Sequence, residues 1–232
     1  MTRLLPLENT KLAKPLLIAK PISAISSNAA RLSIVSGLLF ILILGCLHLL
    51  EPEFDPTWRF ISEYALGNFG WMMHFAFILL AVSLISAGVA IFSQIRSVLG
   101  YIGLVILGLS VSGILIAGIF VTDPISVSPD AATFSGKMHA IGATLDYSPV
   151  AALLISFALV RNEAWRPIRG RLLISSGIMF VLMALFIIQI PQDGQFTPDV
   201  LAGLFGRFLI ASYLGWLLVV GFHVLKLRKQ SL

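Results

Sequence analysis

The chain has 232 residues, of which 58% are hydrophobic and 12% are charged, and its mean hydropathy is +0.96. A soluble domain of this composition would expose more apolar surface than monomeric proteins usually carry in water, so the sequence indicates a membrane protein. The net charge of +5 reflects the bias of Lys and Arg toward alternate connecting segments, and we do not expect nucleic-acid binding.

Six apolar segments are each long enough to cross a bilayer, which takes about 20 residues of α-helix. They are predicted at Leu32–Leu50, Gly70–Phe92, Leu99–Val121, Met138–Val160, Leu172–Ile190 and Val200–Leu225. Membrane strands would be about ten residues long and would alternate in polarity, whereas these segments are apolar on all sides. The predicted fold class is all-α, a polytopic membrane protein with a six-transmembrane-helix bundle.

The predicted transmembrane domain covers residues 32–226. Residues 1–31 are predicted to form a cytoplasmic arm at the membrane interface, because Pro15 and Pro21 prevent a long helix there. Residues 227–232 are predicted to form a cytoplasmic tail. The third apolar segment is rich in Gly and Ser, which predicts that it is the central and most enclosed helix.

Basic and acidic connecting segments alternate along the chain. Lys and Arg outnumber acidic residues in four segments: the one before the first span and those after the second, fourth and sixth spans. The other three connections are acidic. The positive-inside rule therefore predicts that both termini are cytoplasmic.

Two charged residues fall inside predicted spans, where a central Asp or Arg costs about 2.5–3.5 kcal/mol. Asp146 in span 4 and Arg207 in span 6 are both about 10–12 Å from the extracytoplasmic end. They are predicted to form an ion pair, because pairing reduces the cost of burying two charges. Whether this pair is purely structural or part of a site is left open.

Three histidines lie toward the same end, and they are accompanied by carboxylates from the acidic connections. His48, His74 and His139 are near the ends of their spans. Glu63 lies in the connection between spans 1 and 2, and Asp123 lies in the connection between spans 3 and 4. This clustering at one depth predicts a polar pocket on the extracytoplasmic side.

The pocket supports two kinds of chemistry. Histidine with carboxylates can hold Zn²⁺ and leave a position for water, which suits hydrolysis of a lipid amide or ester. Without a metal, His and Asp can act as a general-base pair. No H-x-x-x-H or H-E-x-x-H spacing occurs in the sequence, so the metal ligands and the cofactor remain unknown.

Four motifs resemble the DUF998 family of prokaryotic membrane proteins, whose function is undefined. They are Ile61-Ser-Glu-Tyr-Ala-Leu-Gly67 with Gly70-Trp71, Gly118-Ile-Phe-Val-Thr-Asp-Pro124, Gly136-Lys-Met-His-Ala140, and Gly203-Leu-Phe-Gly-Arg-Phe208 with Gly215-Trp216. The resemblance covers about residues 32–226. It implies a fold of about six helices in a prokaryotic inner membrane, and an outward-facing polar constellation of Ser62, Glu63, Thr122, Asp123, His139 and Arg207.

These observations assign roles to eight residues. The candidate catalytic residues are His139, Asp123 and Glu63. The candidate ligand-binding residues are Ser62, His74, Thr122, Asp146 and Arg207.

Three functions remain in competition. The leading hypothesis is a membrane protein whose polar pocket binds a lipid or small amphiphile. In a stronger form of this hypothesis, the pocket also hydrolyses that ligand. The alternatives are a small-molecule transporter, which a kink at Pro149 in span 4 would favour, and a non-catalytic membrane scaffold. The expected partners are the lipid bilayer and a lipid or amphiphile ligand, and the oligomeric state is open.

Overall fold

The computed structural model describes residues 21–191 and 194–230, and all regular structure in these ranges is helical. The α-helices are α1 (Ala24–Leu50), α2 (Gly70–Ile91), α3 (Val98–Ile119), α4 (Phe134–Thr144), α5 (Ser148–Leu159), α6 (Arg169–Ile188) and α7 (Ala202–Gln230). Six helical segments are long and apolar enough to cross a membrane, with α4 and α5 together forming one of them. The protein is therefore a multi-pass integral membrane protein, which confirms the predicted fold class.

The first and last helices extend beyond the predicted spans. α1 starts at Ala24, where the Ser23 side chain accepts a hydrogen bond from the N–H of Ser26 at 3.0 Å and so caps the helix. Residues 24–31 of the predicted arm therefore belong to α1, whereas residues 1–20 lie outside the described residues. α7 continues to Gln230, and the last two residues of the predicted tail also lie outside the described part.

The spans are arranged as a closed ring in chain order. α1 packs against α2, α2 against α3, α3 against α4 and α5, α5 against α6, and α6 against α7, which returns to α1. α2 also contacts α7 across the ring. The prediction that the third span is the most enclosed is wrong: 61% of the most apolar stretch of α2 is buried, against 44% for α3.

The glycines of α3 allow close helix contacts without central burial. A side chain at Gly113 would meet the backbone of Gly142 in α4, and one at Gly103 would meet Ile155 in α5. Gly118 faces Phe77 of α2 in the same way. Because lipid offers no hydrophobic force between helices, such close van der Waals contact is what holds α3 to its neighbours.

The bundle has two chemically different ends. At the acidic end, α1, α3 and α6 finish and α2, α4 and α7 begin, and the connections 51–69, 120–133 and 189–201 join them. At the basic end, α1 begins and α7 finishes, and the connections that precede α3 and α6 carry Arg96, Arg161 and Arg166.

Candidate functional site

Arg207 is the centre of a hydrogen-bond network at the acidic end. Its Nε donates to Nε2 of His48 at 2.7 Å, and its Nη2 donates to the hydroxyl of Tyr64 at 3.2 Å. Its Nη1 donates to the backbone carbonyls of Arg59 at 2.6 Å and Gly203 at 3.1 Å. The guanidinium therefore ties α7 to α1 and to the segment that follows α1.

The predicted ion pair between Asp146 and Arg207 is wrong. The Asp146 carboxylate accepts hydrogen bonds from the hydroxyl of Tyr213 and from the N–H of Ser148, each at 3.0 Å. Asp146 contacts α7 at Tyr213, six residues further along that helix than Arg207, so the two side chains have different neighbours at different levels of the bundle. Depth follows from position along the helix, whereas the direction of a side chain depends on how the helix is rotated in the bundle.

The fourth span is interrupted at Asp146. α4 ends at Thr144 and α5 begins at Ser148, so the backbone between them does not follow the helical hydrogen-bond pattern. Pro149 occupies the first turn of α5, where its missing N–H costs little. The Asp146 carboxylate binds the N–H of Ser148 and so partly compensates the free donors at the start of α5.

Glu63 is fully occupied by contacts within the protein. Arg59 donates from Nε and Nη2 to its two carboxylate oxygens, each at 2.8 Å. The N–H groups of Phe60 at 3.2 Å and Ile125 at 2.8 Å donate to the same carboxylate, which is 1% exposed. Glu63 thereby fastens the short 3₁₀ helix Ile61–Leu66 to the connection between α3 and α4.

Asp123 organises the start of α4. Its carboxylate accepts from the N–H of Thr133 at 2.8 Å and from the Thr133 hydroxyl at 2.7 Å. Thr133 is itself the N-cap of α4 and accepts from the N–H of Gly136 at 3.0 Å. A side chain at Gly136 would overlap the Asp123 carboxylate, so the glycine makes room for it. Thr122 donates to the backbone carbonyl of Asp123 at 3.1 Å.

His74 and His139 both bind the end of α3. The last carbonyls of a helix have no partner within the helix and need donors from elsewhere. His74 Nδ1 donates to the Gly118 carbonyl at 2.6 Å, and His139 Nδ1 donates to those of Ala117 at 2.8 Å and Phe120 at 3.0 Å. Because a carbonyl can only accept, Nδ1 carries hydrogen in both rings, and in a neutral ring Nε2 is then an acceptor.

The Nε2 atoms distinguish these histidines from His48. Nε2 of His48 is occupied by Arg207. Nε2 of His74 and of His139 has no hydrogen bond from the described residues. His139 is 6% exposed, and His74 is half-buried. A histidine held through Nδ1 with Nε2 left for a ligand is the arrangement used in proton transfer and in metal binding.

Glu51 is a further buried carboxylate at the acidic end, which the sequence analysis did not include in the site. It is 1% exposed, and its Oε1 accepts from the N–H of Phe69 at 2.7 Å. Its Oε2 is buried and has no hydrogen-bond partner within the described part of the chain. A side chain at Gly67 would overlap this carboxylate, so the backbone of the connection 51–69 packs directly against it.

Asp55 lies at the surface of the same connection. The hydroxyl and the N–H of Thr57 donate to its Oδ1 at 2.6 and 2.8 Å. These hydrogen bonds hold the pKa of the Asp55 carboxyl below its usual value. The turn is therefore held by this carboxylate at neutral pH and loses that support as the pH falls through the lowered pKa.

The structure joins most of the predicted site residues into one network but separates Asp146 from it. Glu63 binds the connection that contains Thr122 and Asp123, and His74 and His139 share the end of α3. Ser62 is buried beside Glu63, with 7% exposure. Asp146 lies further into the bundle and pairs with Tyr213.

The donor set does not fit a metal site. In residues 21–191 and 194–230, no group of three or more His, Cys, Asp or Glu side chains is placed to hold a metal ion. Glu63 and Asp123 are committed to Arg59 and Thr133, so they do not converge with the two Nε2 atoms.

Sequence reasoning missed three partners in this region. Arg59 precedes Glu63 by four residues, and this spacing of opposite charges on a helical turn was an available signal. Tyr64 and Tyr213 gave no comparable signal, because they meet Arg207 and Asp146 through contacts between distant parts of the chain.

A known family matches most of the chain. The family described as "Protein of unknown function (DUF998)" matches residues 34–223, which span all six membrane segments. No curated protein and no solved structure matches it.

Proposed function

The chain belongs to the DUF998 family, whose function is unknown, and on that premise we propose that it binds the polar head group of a lipid or another amphiphile at the acidic end. His74 and His139 are the side chains that would contact this ligand. The observation that carries the proposal is that both imidazoles are fixed through Nδ1 while Nε2 has no partner within the described residues.

The surroundings of the two histidines suit an amphiphile. They lie at the ends of membrane spans, so a ligand that reaches them can leave its apolar part among the exposed side chains of α2 and α4. Trp71 and Phe134 are 67% and 73% exposed at the start of these helices. Aromatic side chains at such positions favour the head-group region of a bilayer.

Glu63 and Asp123 act in this proposal as positioning residues. Their carboxylates hold the connections 51–69 and 120–133 over the ends of α2, α3 and α4. The stronger form of the proposal, hydrolysis, rests on His139 as a general base that takes a proton from water through Nε2. Ser62 and Thr122 supply hydroxyl groups in the same connections.

The proposal includes an orientation. The basic connections favour the cytoplasmic side, so the acidic end and its histidines would face the extracytoplasmic side of a prokaryotic inner membrane. The ligand would accordingly come from the outer leaflet of that membrane.

The test separates Nε2 from the structural role of Nδ1. In His139→Asn and His74→Asn the amide nitrogen takes the place of Nδ1, which keeps a donor for the α3 carbonyls and removes Nε2. The full chain is purified in detergent and titrated with phospholipids and lysolipids of different head groups, with thermal unfolding as the readout. We expect the lipid that stabilises the wild type to bind at least about tenfold more weakly to each variant, which is about 1.4 kcal/mol.

The control is His223→Gln at the basic end. His223 donates through Nε2 to the carbonyl of Ala164 at 2.8 Å, and a glutamine amide can replace that donor. Retention of the full ligand-induced stabilisation by both asparagine variants would contradict the proposal. For the stronger form, His139→Asn should also abolish release of the hydrolysed product from the stabilising lipid.

Transport is a second candidate, and the interruption of span 4 favours it. Discontinuous membrane helices line the substrate sites of many secondary transporters. Here the break places Asp146 against Tyr213 of α7. Substrate flux in proteoliposomes that disappears in Asp146→Asn, with His139→Asn unaffected, would favour transport over head-group binding.

A scaffold is the remaining alternative. On this alternative an Asp146–Arg207 pair would only fix the contact of two helices, and that pair does not form. No contact among the described residues favours it over the other two functions.

A further inference from the structure

We propose that a groove at the basic end binds the phosphate group of an anionic phospholipid. The groove lies between the first two turns of α1 and the last turns of α7 and has a volume of about 750 Å³, within the range of small-molecule sites. It is called the α1–α7 groove below. It is at the opposite end of the bundle from the histidines, so the inference does not depend on the proposed function.

The lining of the α1–α7 groove is strongly basic. Arg31, Lys226, Arg228 and Lys229 line it, and none of the lining residues is acidic. Arg31, Lys226 and Lys229 are exposed and form no salt bridge with an acidic side chain in the described part of the chain. Cations held together in this way repel one another, and an anion placed between them relieves that repulsion.

Arg228 has a structural role in the groove. Its Nη1 donates to the backbone carbonyl of Ile22 at 2.7 Å, and Ile22 is fully buried. This contact fixes the segment before α1 against α7. The two walls of the groove are therefore held at a set distance before any ligand binds, which lowers the entropic cost of binding.

The α1 wall adds polar groups to the basic ones. Ser27 and Asn28 lie in the groove, in the first turns of α1. The amino end of a helix also carries partial positive charge, which favours an anion close to it.

The order of residues along α7 points to a lipid as the source of the phosphate. Lys226 and Lys229 lie nearest the end of the helix, whereas Phe222 and Leu225 lie deeper in the bilayer on the same groove. Phe222 is 58% exposed. An apolar wall below a basic rim matches an acyl chain below its head group, whereas a free phosphate would leave the apolar wall unused.

A second, smaller groove also supports the binding of a lipid at this end of α7. It has a volume of about 290 Å³ and lies on the other side of α7, against the start of α6. Phe222 and Lys226 line this groove too, together with Arg171. Both sides of the end of α7 thus combine apolar side chains with basic ones.

The test measures which phospholipids stay bound to the full chain. The protein is purified in detergent, mixed with equal amounts of phosphatidylglycerol and phosphatidylcholine, and the bound lipids are counted by native mass spectrometry. We expect the wild type to retain phosphatidylglycerol in preference to phosphatidylcholine. In Arg31→Gln/Lys229→Gln this preference should fall by about twenty-fivefold, because each cation near a lipid surface contributes about fivefold.

Two charge controls distinguish the groove from the general basic character of this end. Arg161→Gln/Arg169→Gln removes two exposed cations of the basic end that do not line the groove. Lys11→Gln/Lys14→Gln removes two cations from the first twenty residues. Both controls should keep the preference to within about twofold, which is less than the effect of one cation.

A steric variant tests the groove without changing charge. Asn28→Phe fills the groove from the α1 wall, and Ile25→Phe places the same ring on an exposed position of α1 outside it. Asn28→Phe should reduce phosphatidylglycerol retention, and Ile25→Phe should not.

Three results would overturn the proposal. One is equal retention of the two lipids by the wild type, and another is an equal loss in the groove variant and in either charge control. The third is displacement of the bound lipid by free glycerol phosphate at millimolar concentration, because that would identify a site for the soluble anion.

Discussion

Arg207 and Glu63 at the acidic end are each satisfied by particular backbone groups and side chains. Arg207 donates four hydrogen bonds, and Glu63 accepts four. Unsatisfied polar groups are especially costly where water is scarce, so these contacts fix the positions of the connections they join. His74 and His139 differ in that their Nε2 atoms have no hydrogen bond from the described residues, and the proposed function rests on them.

Arg207→Lys should destabilise the protein although it keeps the positive charge. A lysine ammonium has no planar fork, so it cannot reach His48, Tyr64 and the two carbonyls together. Leaving buried acceptors without donors costs about 1–3 kcal/mol, and we expect a loss of about 2 kcal/mol in the free energy of unfolding. Unfolding by SDS in mixed micelles measures this loss.

The matched control is Arg169→Lys, at an exposed position of the basic end. It should change the free energy of unfolding by less than about 0.5 kcal/mol. If Arg207→Lys were as mild as this control, the network around Arg207 would not contribute to stability.

Gly67→Ala should also be destabilising. Its new Cβ would overlap the buried carboxylate of Glu51, and forcing extra atoms into packed space costs about 1–3 kcal/mol. Gly45→Ala is the control, since nothing lies near that position, and it should be neutral or slightly stabilising in a helix. In Gly67→Ala/Glu51→Ala the overlap is absent, so the destabilisation by Gly67→Ala should be smaller in the Glu51→Ala background. A double-mutant cycle that shows no coupling between the two positions would refute this contact.

At the scale of helices, the break between α4 and α5 is the main departure from regular structure in the described spans. The segment between Thr144 and Ser148 leaves backbone groups without helical partners at membrane depth, where such groups need other contacts. Ser110 of α3 supplies one of them, since its hydroxyl accepts from the N–H of Tyr147 at 2.9 Å. Asp146 supplies another to Ser148 and is itself held by Tyr213.

Tyr213→Phe tests whether α7 supports the break. The variant keeps the ring and removes the hydroxyl that binds Asp146, so we expect a loss of about 1–2 kcal/mol in the free energy of unfolding. Tyr147→Phe is the control, because its ring is 47% exposed. Equal stability of the two variants, measured by SDS unfolding, would show that the hydroxyl of Tyr213 does not stabilise the break.

At the scale of the whole molecule, the ring of spans separates two ends of opposite charge character. The acidic end holds the hydrogen-bonded connections and the two histidines, and the basic end holds the two grooves beside α7. If the positive-inside rule applies, a ligand of the outer leaflet and an anionic lipid of the inner leaflet would bind to opposite faces of one bundle.

Labelling of single cysteines tests this orientation. In a Cys46→Ser background, Ser126→Cys places a thiol at the acidic end, and Gly170→Cys places one at the basic end, both at exposed positions. In right-side-out membrane vesicles, an impermeant maleimide should label Ser126→Cys directly. It should label Gly170→Cys only after the vesicles are made permeable, and the reverse pattern would contradict the predicted orientation.

Much of this architecture could be predicted because it depends on local composition. Each of the six spans is a long, mostly apolar stretch, so their number and approximate positions follow from composition along the chain. The break in span 4 was indicated only weakly, by Pro149. The enclosure of α2 was missed, because glycines report how closely helices can approach and not which helix lies innermost.

Composition along the chain is enough to show that this protein lies in a membrane, how many times it is able to cross it, and which polar side chains need partners there. The tertiary structure alone decided which partners they find: Arg207 binds His48 and Tyr64, Asp146 binds Tyr213, and two histidines share the end of α3. The physical reason is that transfer to lipid depends on the composition of one segment, whereas a hydrogen bond depends on the relative rotation and spacing of two. That geometry is set by the packing of the whole bundle.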